Sequence, residues 1–244
     1  DGRMNFHGWW ELLVIGDSGT GKSTIVNRFI QHFGLGEIVA GEEARRTGLV
    51  YASIQMGGEW IIKWGKIPQN DRRLLVVDEF SGIPKEEVEK LTQLRSEGRA
   101  KGGGVAQDHE IFARTRLVWL TNPRGGNGSL GEYNTGIQAV VGLYSSLADL
   151  RRVDLAVVAE KGEVSSDVIN QRWNQASVKH VYTADLCRSL VLWAWSREPR
   201  HVEWRPGAED RVAYWARELG EIYDCDITLA YKGDLRLKIA RIAV

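Results

Sequence analysis

The 244 residues are 43% hydrophobic, enough for one large domain or one domain with a small appendage. Lysine plus arginine and aspartate plus glutamate both number 32, so bulk attraction to nucleic acid is excluded and any such partner must be met by a local basic feature. The two cysteines, Cys187 and Cys225, exclude a disulfide framework and point to a reducing intracellular compartment, and no apolar run approaches the ~18 residues of a membrane span. No leader is visible, and the opening on Asp1 and the helical pattern running to Val244 read as those of a fragment. The five histidines show no metal-ligand spacing. Trp193, Trp195, Trp215 and Cys187 are expected in the core.

In chain order, residues 1–10 are irregular, with Phe6, Trp9 and Trp10 supplying apolar surface. Glu11 to Ile15 is a short apolar run of strand type. Gly16-Asp17-Ser18-Gly19-Thr20-Gly21-Lys22-Ser23 follows and fits the phosphate-loop pattern G-x-x-x-x-G-K-[ST]. Thr24 opens a helical pattern in which Ile25, Val26, Phe29 and Ile30 share one face. Strand, glycine loop and helix start make an anion site. The glycines allow turns that aim backbone N–H groups inward, and the helix adds its positive end. Lys22 can reach the outer phosphates of a nucleoside triphosphate, and the Ser23 hydroxyl can hold Mg2+.

Residues 49–56 and 59–64 are strand-like runs joined by Gly57-Gly58, the pattern of a β-hairpin. Leu74 to Val77 is a continuous apolar run closed by Asp78 and Glu79, which describes a buried parallel strand with acids at its C-terminal end. Open α/β sheets bind ligands at that end. Asp78 is expected at the metal, and Glu79 is expected to orient and deprotonate an attacking water. Pro84 to Glu87 suits a helix first turn. Val88, Leu91 and Leu94 then mark an inner face, with Glu89, Lys90 and Arg95 outside. Residues 99–105 are basic and glycine-rich and form one arm of a second hairpin, with 110–113 as the other.

Arg116 to Thr121 is another buried strand, ended by Asn122 and Pro123, and Asn122 is placed to position water beside a γ-phosphate. A glycine-rich loop spans 124–129. A helical turn at Leu147 to Arg152 runs into a strand ending near Val158. From residue 166 the pattern is helical, with an apolar helix near 185–195, an amphipathic one through Val212, Trp215, Ala216 and Leu219, and a third from Asp234. Strands alternating with helices give an α/β P-loop NTPase, a three-layer αβα sandwich over residues 1–164, with a C-terminal helical lid at 165–244.

Taken together these motifs are similar to the AAA+ ATPase module of the minichromosome maintenance (MCM) helicases. The phosphate loop, Glu59-Trp60, Val77-Asp78-Glu79-Phe80, Ala100-Lys101-Gly102, Thr121-Asn122-Pro123 and Arg151-Arg152-Val153-Asp154-Leu155 stand in the family's order. Gly21, Thr121 and Val153 depart from its usual residues, which suggests a divergent relative of phage, plasmid or mobile-element type. The resemblance implies ATP and Mg2+ as ligands and a homo-oligomer, a hexameric ring closed around DNA. It makes 49–64 the helix-2 insertion and 99–113 the pre-sensor-1 hairpin, with Lys101 facing a DNA phosphate. It makes Arg152 the arginine finger for the neighbouring subunit and puts a second sensor arginine on the last helix, at Arg236 or nearly as well at Arg241. The implied function is an ATP-driven DNA helicase or translocase motor in replication. A chelatase- or remodelling-type ATPase acting on protein is the alternative, and a nucleotide switch without turnover is a third reading that Glu79 opposes.

Overall fold

A computed structural model describes residues 7–41, 46–103, 108–125, 128–170, 182–223 and 231–243. Gly104 and Val105, expected near the tip of the second hairpin, lie outside them, as do Phe6, Gly126, Asn127 and Cys225.

The apolar runs become a parallel sheet. Its strands are β1 (Glu11–Gly16), β2 (Glu37–Ala40), β5 (Leu74–Asp78), β8 (Arg116–Thr121) and β9 (Leu155–Ala159), in the spatial order β2-β5-β8-β1-β9. All four pairings are parallel, so Gly16, Asp78, Thr121 and Ala159 finish at one edge. β8 lies between the strand that enters the phosphate loop and the strand that carries the acids. Its six residues are all buried, as are the first four of β5, which is why both read as continuous hydrophobic runs.

Helices cover both faces. The larger core joins Leu13, Ile15, Leu75, Val77, Leu117 and Trp119 of the sheet to α4 (Lys85–Glu89), α5 (Thr92–Glu97), α6 (Gly136–Gly142) and α7 (Leu147–Leu150). On the other face Leu74, Val76, Val118 and Leu120 meet Val26 and Ile30 of α1 (Lys22–Phe33) and Trp195 of α9 (Ala184–Trp195). α10 (Ala208–Ile222) buries Val212, Ala216 and Gly220, and α11 (Lys232–Ala243) buries Leu235, Lys238 and Ala240. Among the described residues there are also three short helices, α2 (Arg46–Leu49), α3 (Lys66–Gln69) and α8 (Ser166–Ile169).

The two hairpins form separate antiparallel pairs. β3 (Tyr51–Met56) pairs with β4 (Glu59–Trp64), and β6 (Arg99–Gly103) with β7 (Asp108–Phe112). Gly57 and Gly58, at φ of 60° and 89°, supply the left-handed turn between β3 and β4. The hairpins lie against each other. Ser53 Oγ donates to the Gly103 carbonyl at 3.3 Å, and a Cβ on Gly102 would stand 3.2 Å from Ile62 Cδ1 and from the Trp64 ring.

Four expectations fail. Arg95 is fully buried, because it stands one helical turn after Leu91, on the same inner face, where it meets two carboxylates. Ile25 and Phe29 of α1 are exposed, since only Val26 and Ile30 reach the sheet. Trp193 and Trp215 are also exposed, and Cys187 is half-buried. The apolar residues of α9 are spread over more than one face, among Asp185, Arg188 and Ser189, and Trp195 is the one that joins the sheet core. Trp195 does pack inward, under the Arg116 guanidinium at 4.8 Å. The short edge strand β2 is not among the elements expected from the sequence.

Candidate functional site

β1 delivers Gly16 to the sheet edge beside β9, where a Cβ would stand 2.5 Å from the Ala159 carbonyl oxygen. Gly19 and Gly21 then turn the chain at φ of 85° and 82°, in the left-handed region that excludes most side chains. Gly21 caps α1, whose first residue is Lys22. Lys22 Nζ donates to the carbonyls of Gly16 and Asp17, both at 2.8 Å, and to Asn122 Oδ1 at 2.9 Å. Burial pushes its pKa down against the opposing charges of Asp17 and Asp78. Thr20 Oγ1 donates to the Asp17 carbonyl at 2.9 Å, Ser23 is half-buried, and Ser18 and Thr24 are exposed.

Asp17 does work that the motif does not specify. It is buried, and its oxygens accept the backbone N–H of Leu130 at 2.6 Å and of Lys161 at 2.9 Å. Burial opposes its ionisation, but these bonds, one from the Ser129 side chain and the Lys22 charge outweigh it and lower the pKa. The side chain therefore fastens the phosphate loop to the segment after Pro123 and to the turn after β9.

The acids stand at the end of β5. Asp78 Oδ1 accepts the Glu79 N–H at 2.9 Å. Glu79 is exposed and adopts φ 58° and ψ 40°, a left-handed conformation costing a non-glycine residue roughly 1–2 kcal/mol. Two neighbours hold the turn. The Gly41 N–H donates to the Asp78 carbonyl at 2.6 Å, and a Cβ there would stand 2.5 Å from the Glu79 oxygen. Buried Thr121 accepts the Ser81 N–H at 3.0 Å and donates to the Asn122 carbonyl at 2.8 Å. Gly41 and Thr121 were not read as site residues. Thr121 carried a signal, since it departs from the family's usual residue, whereas Gly41 carried none.

Lys22, Asp78, Glu79 and Asn122 thus share one edge, with a cation, oxygen ligands and a carboxylate next to backbone N–H groups of a helix start. Such a set can bind a polyphosphate and its hard cation. Among the described residues no cluster of three or more histidine, cysteine, aspartate or glutamate side chains offers a cage for a metal.

The remaining expected residues lie elsewhere. Arg152 precedes β9, at the opposite end of the sheet from Gly16. Its Nε donates to Ser96 Oγ at 2.6 Å, and Nη1 to the Ala148 carbonyl, with Asp149 Oδ1 at 3.8 Å. Burial, then the Arg95 charge, lowers its pKa. Arg236 is on the exposed side of α11, while Arg241 pairs with Asp154 at 2.7 Å. Lys101 is exposed on β6, 3.9 Å from Glu97.

Comparison with known proteins bears on the same residues. Residues 1–166 match the family described as MCM P-loop domain. The chain is 25% identical over 173 residues to the protein named "Probable DNA helicase MCM9" of Oryza sativa subsp. indica, covering 70% of this chain and 23% of that protein. It is 28% identical over 151 residues to "Probable DNA helicase MCM8" of Arabidopsis thaliana, covering 60% and 18%. It is 29% identical over 133 residues to an uncharacterized MCM-type protein of Methanocaldococcus jannaschii, covering 52% and 17%. The chain therefore spans about a quarter or less of the length of these relatives. The matched region contains the phosphate loop, both hairpins, the acidic strand end and Asn122, and by that match the chain belongs to the MCM P-loop family.

Proposed function

We propose that the chain is the ATP-hydrolysing motor of an MCM-like DNA helicase or translocase, working at subunit interfaces of a ring. The observation that carries the reading is the junction of Lys22 with Asn122 at 2.9 Å, beside the acidic end of β5. Residues 16–24 cradle the triphosphate, with Lys22 on its outer phosphates and Asn122 beside the γ-phosphate. Ser23 and Asp78 are hard oxygen donors, a set that suits Mg2+ completed by water and phosphate oxygens. The metal, when bound, neutralises charge building on the transferred phosphoryl group. Glu79 accepts the proton of the attacking water, which its turn aims from the edge of β5. Because Arg152 stands at the far end of the sheet from its own Lys22, it serves the neighbouring subunit's nucleotide, and such an arginine is worth roughly 10³–10⁵ in rate in related enzymes. Arg236, exposed on α11, is the second sensor. The helices from α8 onward form the lid. The paired hairpins face the channel, where Lys101 meets the DNA backbone in a sequence-tolerant, salt-sensitive contact.

The test is the ATPase rate with and without single-stranded DNA at several protein concentrations. Stimulation by DNA and a rate per chain that rises with concentration are expected, and Lys22→Ala is expected to abolish turnover. ATPase indifferent to DNA would move the reading to a remodelling enzyme acting on protein. No phosphate release under any condition would leave a nucleotide switch.

A further inference from the structure

The segment Arg151–Asp154 joins α7 to β9 and holds the arginine assigned above to the neighbouring site. One helix of the same chain fastens it at two points. Lys238 Nζ on α11 donates to the Val153 carbonyl at 2.6 Å, with the lysine only 6% exposed. Arg241, on the same side of α11 three residues later, pairs through Nη2 with Asp154 Oδ1 at 2.7 Å. The other Asp154 oxygen accepts the Glu11 N–H at 3.0 Å, so the carboxylate bridges α11 to the first residue of β1. Just before α11, the Tyr231 ring lies 3.5 Å from the Arg151 guanidinium carbon.

Burying an ammonium and an ion pair is costly, and well-packed apolar side chains would hold a helix there at least as firmly. What a directional bond to the Val153 carbonyl and an ion pair to Asp154 add is position. A carbonyl and a carboxylate on consecutive residues fix the backbone of 153 and 154, and with it the point from which Arg152 projects.

We infer that α11 is the positioning element for Arg152, with Lys238 and Arg241 as the positioning residues. The inference rests on the reading of Arg152 as acting on the neighbouring subunit's nucleotide. It gives the coupling a direction, because displacement of α11 in one chain moves Arg152 and is felt at the next chain's phosphate. It also commits Arg241 to Asp154, which leaves Arg236 as the second sensor.

Complementation between full-length variants tests this. Arg241→Met alone is expected to lower ATPase roughly 100-fold, the scale of a misplaced catalytic group, while a fluorescent ATP analogue still binds. Lys22→Ala chains keep an intact finger but a dead phosphate loop, and Arg152→Ala chains the reverse. Arg241→Met should regain activity when mixed with Lys22→Ala and not with Arg152→Ala. Recovery with Arg152→Ala alone would place Arg241 in its own chain's site and overturn the inference, as would recovery with neither partner or undiminished activity of Arg241→Met. Lys238→Met goes through the same pairings in case Arg241→Met does not fold, and Arg241→Lys, which keeps a charge near Asp154, should restore part of the rate. Failure of Lys22→Ala and Arg152→Ala to complement each other would instead sink the trans reading of Arg152.

Discussion

At the scale of single residues, Thr121 shows how a departure from a family pattern acquires a physical role. Its hydroxyl joins the turn that carries Glu79 to the strand end that carries Asn122. Valine has the same shape and no hydroxyl. Thr121→Val is expected to leave the Ser81 N–H unpaired, a loss of about 1–1.5 kcal/mol, which is up to about tenfold if it falls on the transition state. The expected signature is a lower kcat with a nearly unchanged KM, and Thr121→Ser should behave as the parent. Contiguous features were readable at this scale. The phosphate loop announces itself within eight residues because its glycines and lysine act together locally. Glu11 and Arg95 did not, because each looks like a solvated charge until the fold brings them together across 84 positions.

At the scale of elements, the hairpins are where sequence and structure agree most closely, since alternating runs broken by Gly57-Gly58 admit few other conformations. Their contact with each other was not readable. It depends on Gly102, whose missing side chain lets β6 lie against Ile62 and Trp64. Gly102→Val is expected to wedge the pair apart. Lys101→Ala leaves the packing intact and removes one charge. Both should impair strand separation while basal ATPase persists, but Lys101→Ala alone should lessen the salt dependence of DNA binding, by about one counterion per chain. Salt titrations of binding for the two variants separate these effects, and full unwinding by Lys101→Ala would reject the channel assignment. Strand β2 was missed for a different reason. It is four residues long at the sheet edge, so Ile38-Val39-Ala40 is too short a run to stand out, and its Glu37, engaged by Lys66 and Asn70, looks like a solvated charge.

At the scale of the molecule, the sheet has two differently built ends. One carries the phosphate loop. At the other, Arg95 binds Glu11 through both oxygens at 2.6–3.0 Å and lies 3.6 Å from Asp149, and the Trp119 ring N–H donates to Glu11 Oε2 at 3.2 Å. The network ties β1, α5, α7 and β8 together. Glu11→Ala would leave a buried guanidinium short of its main partner, and a loss of about 3–5 kcal/mol is expected in denaturant unfolding. His7 borders the same end, stacked on Trp9 at 4.1 Å and touching Arg241. Burial first, then the Arg241 charge, holds its pKa down from 6.5 to about 4, against the Trp9 carbonyl and Glu11. The folded state therefore refuses a proton that the unfolded chain accepts between those values. Stability is full above about pH 6.5 and declines as pH falls towards 4. His7→Phe should flatten that decline in melting curves taken between pH 7 and 5.

The bonds of Lys22 have a further thermodynamic meaning. Its ammonium already satisfies two carbonyls and the Asn122 amide oxygen. Phosphate binding is therefore an exchange of acceptors, and the measured affinity is the difference between two solvation shells of one cation. Removing an internal competitor tilts that exchange toward the ligand. Asn122→Ala is expected to bind ATP as tightly as the parent or more so, in equilibrium titration, while turning it over more slowly. A chain that holds its substrate better and uses it worse would show that part of the binding energy is withheld until the γ-phosphate arrives.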